Sequence, residues 1–201
     1  ESLSAFGSDG FTVGSNLGWN ESGDSLISWS AKLGGAPTAT NSAGAGATPT
    51  AGSVKIDGVN LGSALAGTIA ATKITANTTL GMSVGTFTGA SVAAAGTTVA
   101  HGLNATPSMV IIRNRGSYNW GVYHAGSWVS ASDPGVLYLD STAARSTDTN
   151  VFGTSGAFTS STFTVGDWRG SNYASDTYYF IAFAPSQFIS IGSYDGNNNA
   201  D

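Results

Sequence analysis

The chain contains no cysteine, which excludes disulfide frameworks, zinc ribbons and thiol nucleophiles. Charge is scarce: 9% of the residues are Asp, Glu, Lys or Arg, against about 25% in ordinary soluble domains. The seven basic residues lie singly along the chain, Arg113 and Arg115 apart, and the net charge is −5. A nucleic-acid partner would require a basic patch, so none is expected. His101 and His124 are the only histidines. A metal site wants three or four ligands, so no metal and no cofactor is expected. No apolar run reaches the roughly 18 residues of a membrane-spanning helix, and no span is expected. Sustained helical periodicity is missing too.

What the chain has in quantity is small and hydroxylated. Gly (28), Ser (28) and Thr (23) together make up 79 of the 201 residues. Solubility then rests on hydroxyls, amides and backbone rather than on ions. Apolar residues at 41% and aromatics at 10% are enough for a core, so general disorder is excluded. This balance suits rigid extracellular or virion β-proteins.

The chain also echoes itself. Phe11-Thr12-Val13-Gly14 returns as Phe163-Thr164-Val165-Gly166, an offset of 152 residues. Leu80–Gly89 returns in weaker form as Gln187–Gly196, an offset of 107. The difference of 45 is about the length of the segment from Gly35 to Thr79. The expected parse is four parts: 1–34 as the closing strands of a preceding repeat, 35–79 as a Gly/Ala/Thr-rich spacer with a small hairpin, 80–187 as a complete repeat, and 188–201 as the first strand of a following one. The pattern reads as a window on a longer repeating chain. Repetition favours structural or adhesive roles over catalysis.

Short β-rich runs bounded by Gly, Asn, Asp and Pro recur throughout. Strands are expected at Gly10–Gly14, Ser25–Leu33, Ser53–Asp57, Gly81–Phe87, Thr97–Ala100, Ser108–Arg115, Trp120–His124, Gly135–Asp140, Ser161–Gly166, Thr177–Ala184 and Phe188–Tyr194. Met109–Ile112 and Tyr178–Phe183 are apolar at every position, which suits central strands. Asp57-Gly58 marks a hairpin turn, Ala36–Gly52 reads as an extended spacer, and Leu65–Asn77 as a short helix or a loose edge. The fold class is therefore all-β: an antiparallel β-sandwich or jelly-roll-like repeat with partial flanking copies.

Candidate chemistry is thin. Gly81-Met82-Ser83-Val84-Gly85 matches the nucleophile-elbow pattern, but that motif needs a strand-to-helix turn, and strand is expected here. Asp133, Asp140, Asp148, Asp167 and Asp176 all stand beside turn residues, where Asx side chains bond local backbone. Asp195–Asn199 offers oxygen ligands but lacks the EF-hand pattern, so a hairpin turn is preferred to calcium. No catalytic residue is assigned. His101, His124 and Trp120 are read as structural. If the His101 ring satisfies a buried carbonyl, its loss would cost about 1–2 kcal/mol. Trp128, Trp168 and Tyr173 stand in Gly/Ser-rich loops, where exposed rings would offer contact to a glycan. The alternative is that such rings cap the ends of a sandwich.

One resemblance covers much of the chain. The runs Thr98-Val99-Ala100-His101-Gly102-Leu103, Thr106–Arg113 and Asn119–His124, then Tyr138–Ala143, Phe158–Gly166 and Ile191–Asn197 together resemble repeat domains of bacteriophage virion proteins, a largely uncharacterised group found in tail fibres and appendages. The resemblance covers 80–201 well and 1–34 as a partial copy. It implies a virion setting outside the cell, and partners that are further copies of this chain, other virion proteins and a host-surface glycan. A non-enzymatic tail-fibre or appendage segment, forming homo-oligomers and presenting loops for host attachment, is the reading this favours. A carbohydrate-binding surface module and a capsid-decorating or filament-forming subunit are the alternatives.

Overall fold

In a computed structural model, residues 3–7, 10–91, 97–153 and 158–196 are described. The chain divides into two compact units, Glu1–Ala31 and Lys32–Asp201.

The first unit holds a hairpin of β1 (Leu3–Phe6) and β2 (Phe11–Val13), followed by one helical turn, α1 (Leu17–Asn20). The Asn16 side chain caps that turn by accepting from Gly18 N at 3.0 Å. Beyond it, Ser25–Leu33 forms no strand. Residues 6–34 and 158–186 therefore do not share one strand–turn–strand unit, despite their common Phe-Thr-Val-Gly. The cause is pairing: a strand exists through its ladder, and Ser25–Leu33 has no ladder partner among the described residues. Their apolar side chains stay in solvent, with Ile27 85% and Trp29 95% exposed.

The second unit is all-β. Its strands are β3 (Val54–Ile56), β4 (Val59–Asn60), β5 (Ala71–Asn77), β6 (Met82–Thr88), β7 (Thr98–Ala100), β8 (Met109–Asn114), β9 (Gly121–His124), β10 (Leu137–Tyr138), β11 (Thr162–Thr164) and β12 (Thr177–Phe183), with a 3-10 turn at Ala125–Ser127. Eight of them make one sheet in the order β10-β9-β8-β12-β6-β5-β3-β4. Every neighbour pair in it is antiparallel except β3–β5, which is parallel. The β7–β11 ribbon forms the second layer. Phe163 on β11 packs edge-on against Phe87 of β6 at 6.3 Å and Phe180 of β12 at 5.0 Å, giving a two-layer, sandwich-like core.

The apolar run of β12 takes the centre of the sheet, between β8 and β6. Tyr178, Phe180 and Ala182 face the core and are fully buried. Tyr179, Ile181 and Phe183 face the other side, where Tyr179 is 41% exposed. The second face is thus only partly covered. Gly85 lies directly across from Phe180. A Cβ there would come within 2.5 Å of the Phe180 ring and 2.7 Å of the Lys73 carbonyl, and that carbonyl belongs to the paired β5. Gly85→Ala is expected to cost about 1–3 kcal/mol through overpacking, read as a lower urea midpoint.

Three local expectations are corrected. Leu65–Asn77 supplies neither a helix nor a loose edge: β5 lies between β6 and β3, because Ile74 and Ala76 alternate with Thr and Asn at the period of a strand. Ala36–Gly52 is not an extended spacer. Asn41 is buried and draws the loop together: Nδ2 donates to Ala71 O at 3.0 Å, while Oδ1 accepts from Ala43 N and Thr50 N at 3.0 and 3.1 Å. Phe188–Tyr194 is no strand, since it has no ladder partner among the described residues. The break expected at residue 80 falls in the β5–β6 turn, and β5 pairs with β6 from Ala71 to Asn77. The Asp57-Gly58 turn does form, with φ of 51° and 87° joining β3 to β4. The Asp57 carboxylate accepts from Thr78 N and Oγ1 at 2.8 and 2.6 Å, tying that hairpin to the end of β5.

Candidate functional site

The ends of β8 and β12 meet two loops, 115–120 and 168–176. Between them lies a cleft of about 340 Å³ lined by Asn114, Arg115, Gly116, Ser117, Tyr118, Arg169, Asp176 and Thr177. The core builds this site from below. The Tyr178 ring is buried, stacked on Phe87 at 5.2 Å. Its hydroxyl reaches the loop above, donating to Arg169 O at 2.7 Å and accepting from Tyr173 N at 2.7 Å. Burial raises the Tyr178 pKa, so the hydroxyl keeps the proton it donates. Asn114 adds a second post. Its Nδ2 donates to Arg169 O at 3.1 Å and to Asp176 Oδ2 at 3.2 Å, and its Oδ1 accepts from Gly116 N. Tyr178→Phe removes both loop bonds while preserving ring packing. Orphaning these partners is expected to cost about 1–3 kcal/mol, with faster amide exchange at Tyr173.

Arg169 is the centre of the cluster. Its guanidinium lies over the Tyr173 ring at 4.7 Å and over Tyr118 at 5.8 Å, and its Nε pairs with Asp176 Oδ2 at 3.4 Å. Arg113 lies over Trp120 at 5.3 Å, with Nη1 donating to Tyr118 O. Trp168 stands edge-on to Tyr118 and to Tyr138, both at 6.0 Å. The site is therefore a set of aromatic faces and guanidinium groups held by a rigid sheet end.

The ring residues singled out from sequence separate. Trp168 is half-buried and supports the cleft from behind, while Tyr173 is 45% exposed beside it. Trp128 is elsewhere: it is half-buried against Tyr123 at 6.3 Å, following the 3-10 turn. Trp120 is half-buried under Arg113, and its backbone N–H donates to Asp140 Oδ1 at 2.9 Å. His124 caps the 3-10 turn, with Nδ1 accepting from Gly126 N at 3.0 Å. His101 is fully buried; its Nε2 is 3.2 Å from Thr159 O, and its Nδ1 accepts from Leu103 N at 3.2 Å. The two rings thus serve separate local networks. Among the described residues no group of three or more His, Asp or Glu is arranged to hold a metal ion.

Ser83 sits mid-strand in β6, fully buried, and its hydroxyl has no partner among the described residues. Neither an elbow nor a base accompanies it. Ser83→Ala deletes an unsatisfied polar atom at almost constant shape, and is expected to be neutral or to stabilise by up to about 1 kcal/mol in urea unfolding. Asp148 bonds as turn chemistry predicts, its Oδ1 accepting from Asn150 N at 2.9 Å, whereas the Asp140 carboxylate accepts from the backbone N–H of Trp120, far away in sequence. Asp133 and Asp176 instead pair with Arg145 and Arg169. Of the Asp195–Asn199 segment, 197–199 lie outside the described residues.

Sequence reasoning missed Arg115, Tyr118, Arg169 and Asp176 as members of one cleft. One signal was available: Arg113 and Arg115 form the single close pair of basic residues in the chain. No curated protein matches this sequence, and no solved structure does. A family model described as Domain of unknown function (DUF7483) matches residues 54–201, from the first residue of β3 through the last strand of the sheet, and the chain belongs to that family.

Proposed function

We propose that this chain is a non-enzymatic structural segment of a virion appendage of the phage tail-fibre type. In this reading its copies associate with one another and with other virion proteins outside the cell, and its loops face a host surface. The observation that carries it is the number of large apolar side chains left in solvent. Phe6 (80% exposed), Ile27 (85%) and Trp29 (95%) on the first unit and Tyr194 (94%) on the second stand in solvent. Exposed rings and aliphatic groups in such number mark surfaces that meet another molecule. Backbone at 190–194, which has no ladder partner among the described residues, adds groups that seek a strand partner. Low charge and abundant Ser, Thr and Gly suit a protein working outside the cell.

Two measurements test this. Sedimentation equilibrium should reveal concentration-dependent self-association, weakened about tenfold or more by Ile27→Ser with Trp29→Ser, since buried aromatic anchors dominate interfaces. A chain monomeric at every concentration would remove self-assembly from the reading. Antibody labelling of intact particles should place the chain on an appendage, and particles without label would overturn the virion assignment. A second reading, a carbohydrate-binding surface module, is favoured by one feature, the aromatic and guanidinium cleft at the end of β8 and β12.

A further inference from the structure

Three of the four arginines of an acidic chain, Arg113, Arg115 and Arg169, gather at one end of one sheet. Most of the opposing charge there is already committed. Asp176 Oδ2 accepts from both Arg169 and Asn114, and Asp140 accepts from the Trp120 backbone. Arg113 is occupied by Tyr118 O and the Trp120 face. Arg115 differs. Its side chain is exposed on the cleft wall, and no hydrogen bond or ion pair of its guanidinium occurs among the described residues. Arg169 spends Nε on Asp176, and its two terminal nitrogens have no hydrogen-bonding partner among the described residues. The structure thus holds two guanidinium groups with unused donors at the lip of a 340 Å³ cleft, beside a half-exposed tyrosine ring.

We infer that this cleft binds an acidic saccharide, a pyranose carrying a carboxylate. Guanidinium groups recognise carboxylates through paired N–H donors. Stacking between Tyr173 and Tyr118 fixes the Arg169 plane before a ligand arrives, so less side-chain freedom is lost on binding. Tyr173, which lies under the lining residue Arg169 and is half-exposed, offers an apolar ring to a sugar, and Ser117 and Thr177 on the cleft wall offer hydroxyls to its hydroxyl groups. The volume lies at the small end of ligand sites, which suits one or two sugar rings rather than a long groove. The inference extends the host-attachment reading by naming the chemistry of the surface that would be met.

The test is calorimetric titration of the full chain with tetragalacturonate, with maltotetraose and with dextran sulfate, each in 0.15 M salt. Tetragalacturonate should bind and maltotetraose should not. Arg115→Ala, whose side chain supports nothing in the fold, should weaken tetragalacturonate binding by about tenfold or more with an unchanged melting temperature. Tyr173→Ala should weaken it as well, and Arg169→Gln should reproduce the Arg115 effect. Failure of tetragalacturonate to bind overturns the inference. Equal binding of maltotetraose overturns the carboxylate selectivity, and equal binding of dextran sulfate reduces the cleft to a diffuse anion surface. Binding indifferent to Arg115→Ala and Arg169→Gln places the ligand elsewhere. Sedimentation of the same variants reads self-association separately, so loss of the saccharide site and loss of the assembly reading give different results.

Discussion

Replacement of Phe163 by alanine is expected to lower the unfolding free energy by about 3–5 kcal/mol, the usual cost of emptying a buried aromatic site. Phe163 is fully buried on β11 and touches two strands of the large sheet at once, Phe87 of β6 and Phe180 of β12. It is a main link between the layers. The β7–β11 ribbon has only three residues in each strand, too few backbone bonds to hold it without side-chain packing. The cavity cannot close easily, because the Phe180 ring is seated directly against Gly85. Urea unfolding followed by tryptophan fluorescence measures the loss, and hydrogen exchange at Val99 and Phe163 shows whether the ribbon opens first. A cost below about 1 kcal/mol would mean that the two layers are held by something other than this ring.

The second large effect is pH dependence from His101. Its pKa is lowered from 6.5 to about 4, chiefly by burial, with the Thr159 carbonyl bond opposing the shift. The geometry agrees. A carbonyl cannot donate, so Nε2 carries the proton, and Nδ1 is already accepting from Leu103 N. A second proton on Nδ1 would face that N–H. The folded state thus holds a neutral ring, while the unfolded chain takes up a proton below pH 6.5. Stability from this group is complete above pH 6.5 and falls as the pH drops from 6.5 toward 4. Below that it changes no further. Over the full window the loss is on the order of 3 kcal/mol. His101→Ala at pH 7 leaves the buried Leu103 N–H without its acceptor, the Thr159 carbonyl without its donor, and a cavity, so about 2–4 kcal/mol is expected, more than a single carbonyl bond would suggest. Comparing parent and variant by urea unfolding between pH 7 and pH 4.5 isolates the ring, since other titrations cancel. Parallel pH profiles for the two would show that His101 does not carry the dependence.

The fold class was legible from local pattern, and the reasons differ by segment. Met109–Ile112 and Tyr178–Phe183 carry enough β-branched and aromatic residues to be strands in almost any context, and they became β8 and β12. Asp57-Gly58 required left-handed backbone at both positions and obtained it. Less of the cleft was legible. Trp168 and Tyr173 stood out as loop aromatics. Arg169 did not, because a lone arginine says nothing until Tyr118 and Asp176 are brought beside it from 51 residues before and 7 after.

The repeat shows where local pattern ends. Sequence by itself determined that this chain is β-rich, poor in charge and without thiol chemistry, and that its central strands carry a two-sided apolar run. Each of these follows from residue type and period two. Tertiary structure alone decided which similar segments became strands. Thr177–Phe183 lies between β6 and β8 and forms seven residues of ladder, whereas Ser25–Leu33, with its own hydrophobic run, has no such neighbours and stays irregular. It also decided that β3, β4 and β5 belong to the same sheet as β6, β8, β9, β10 and β12, and that three arginines share one end of it. The physical reason is that a strand's hydrogen bonds lie between segments and not within one, so a sequence can make a strand possible but only its neighbours in space can make it form.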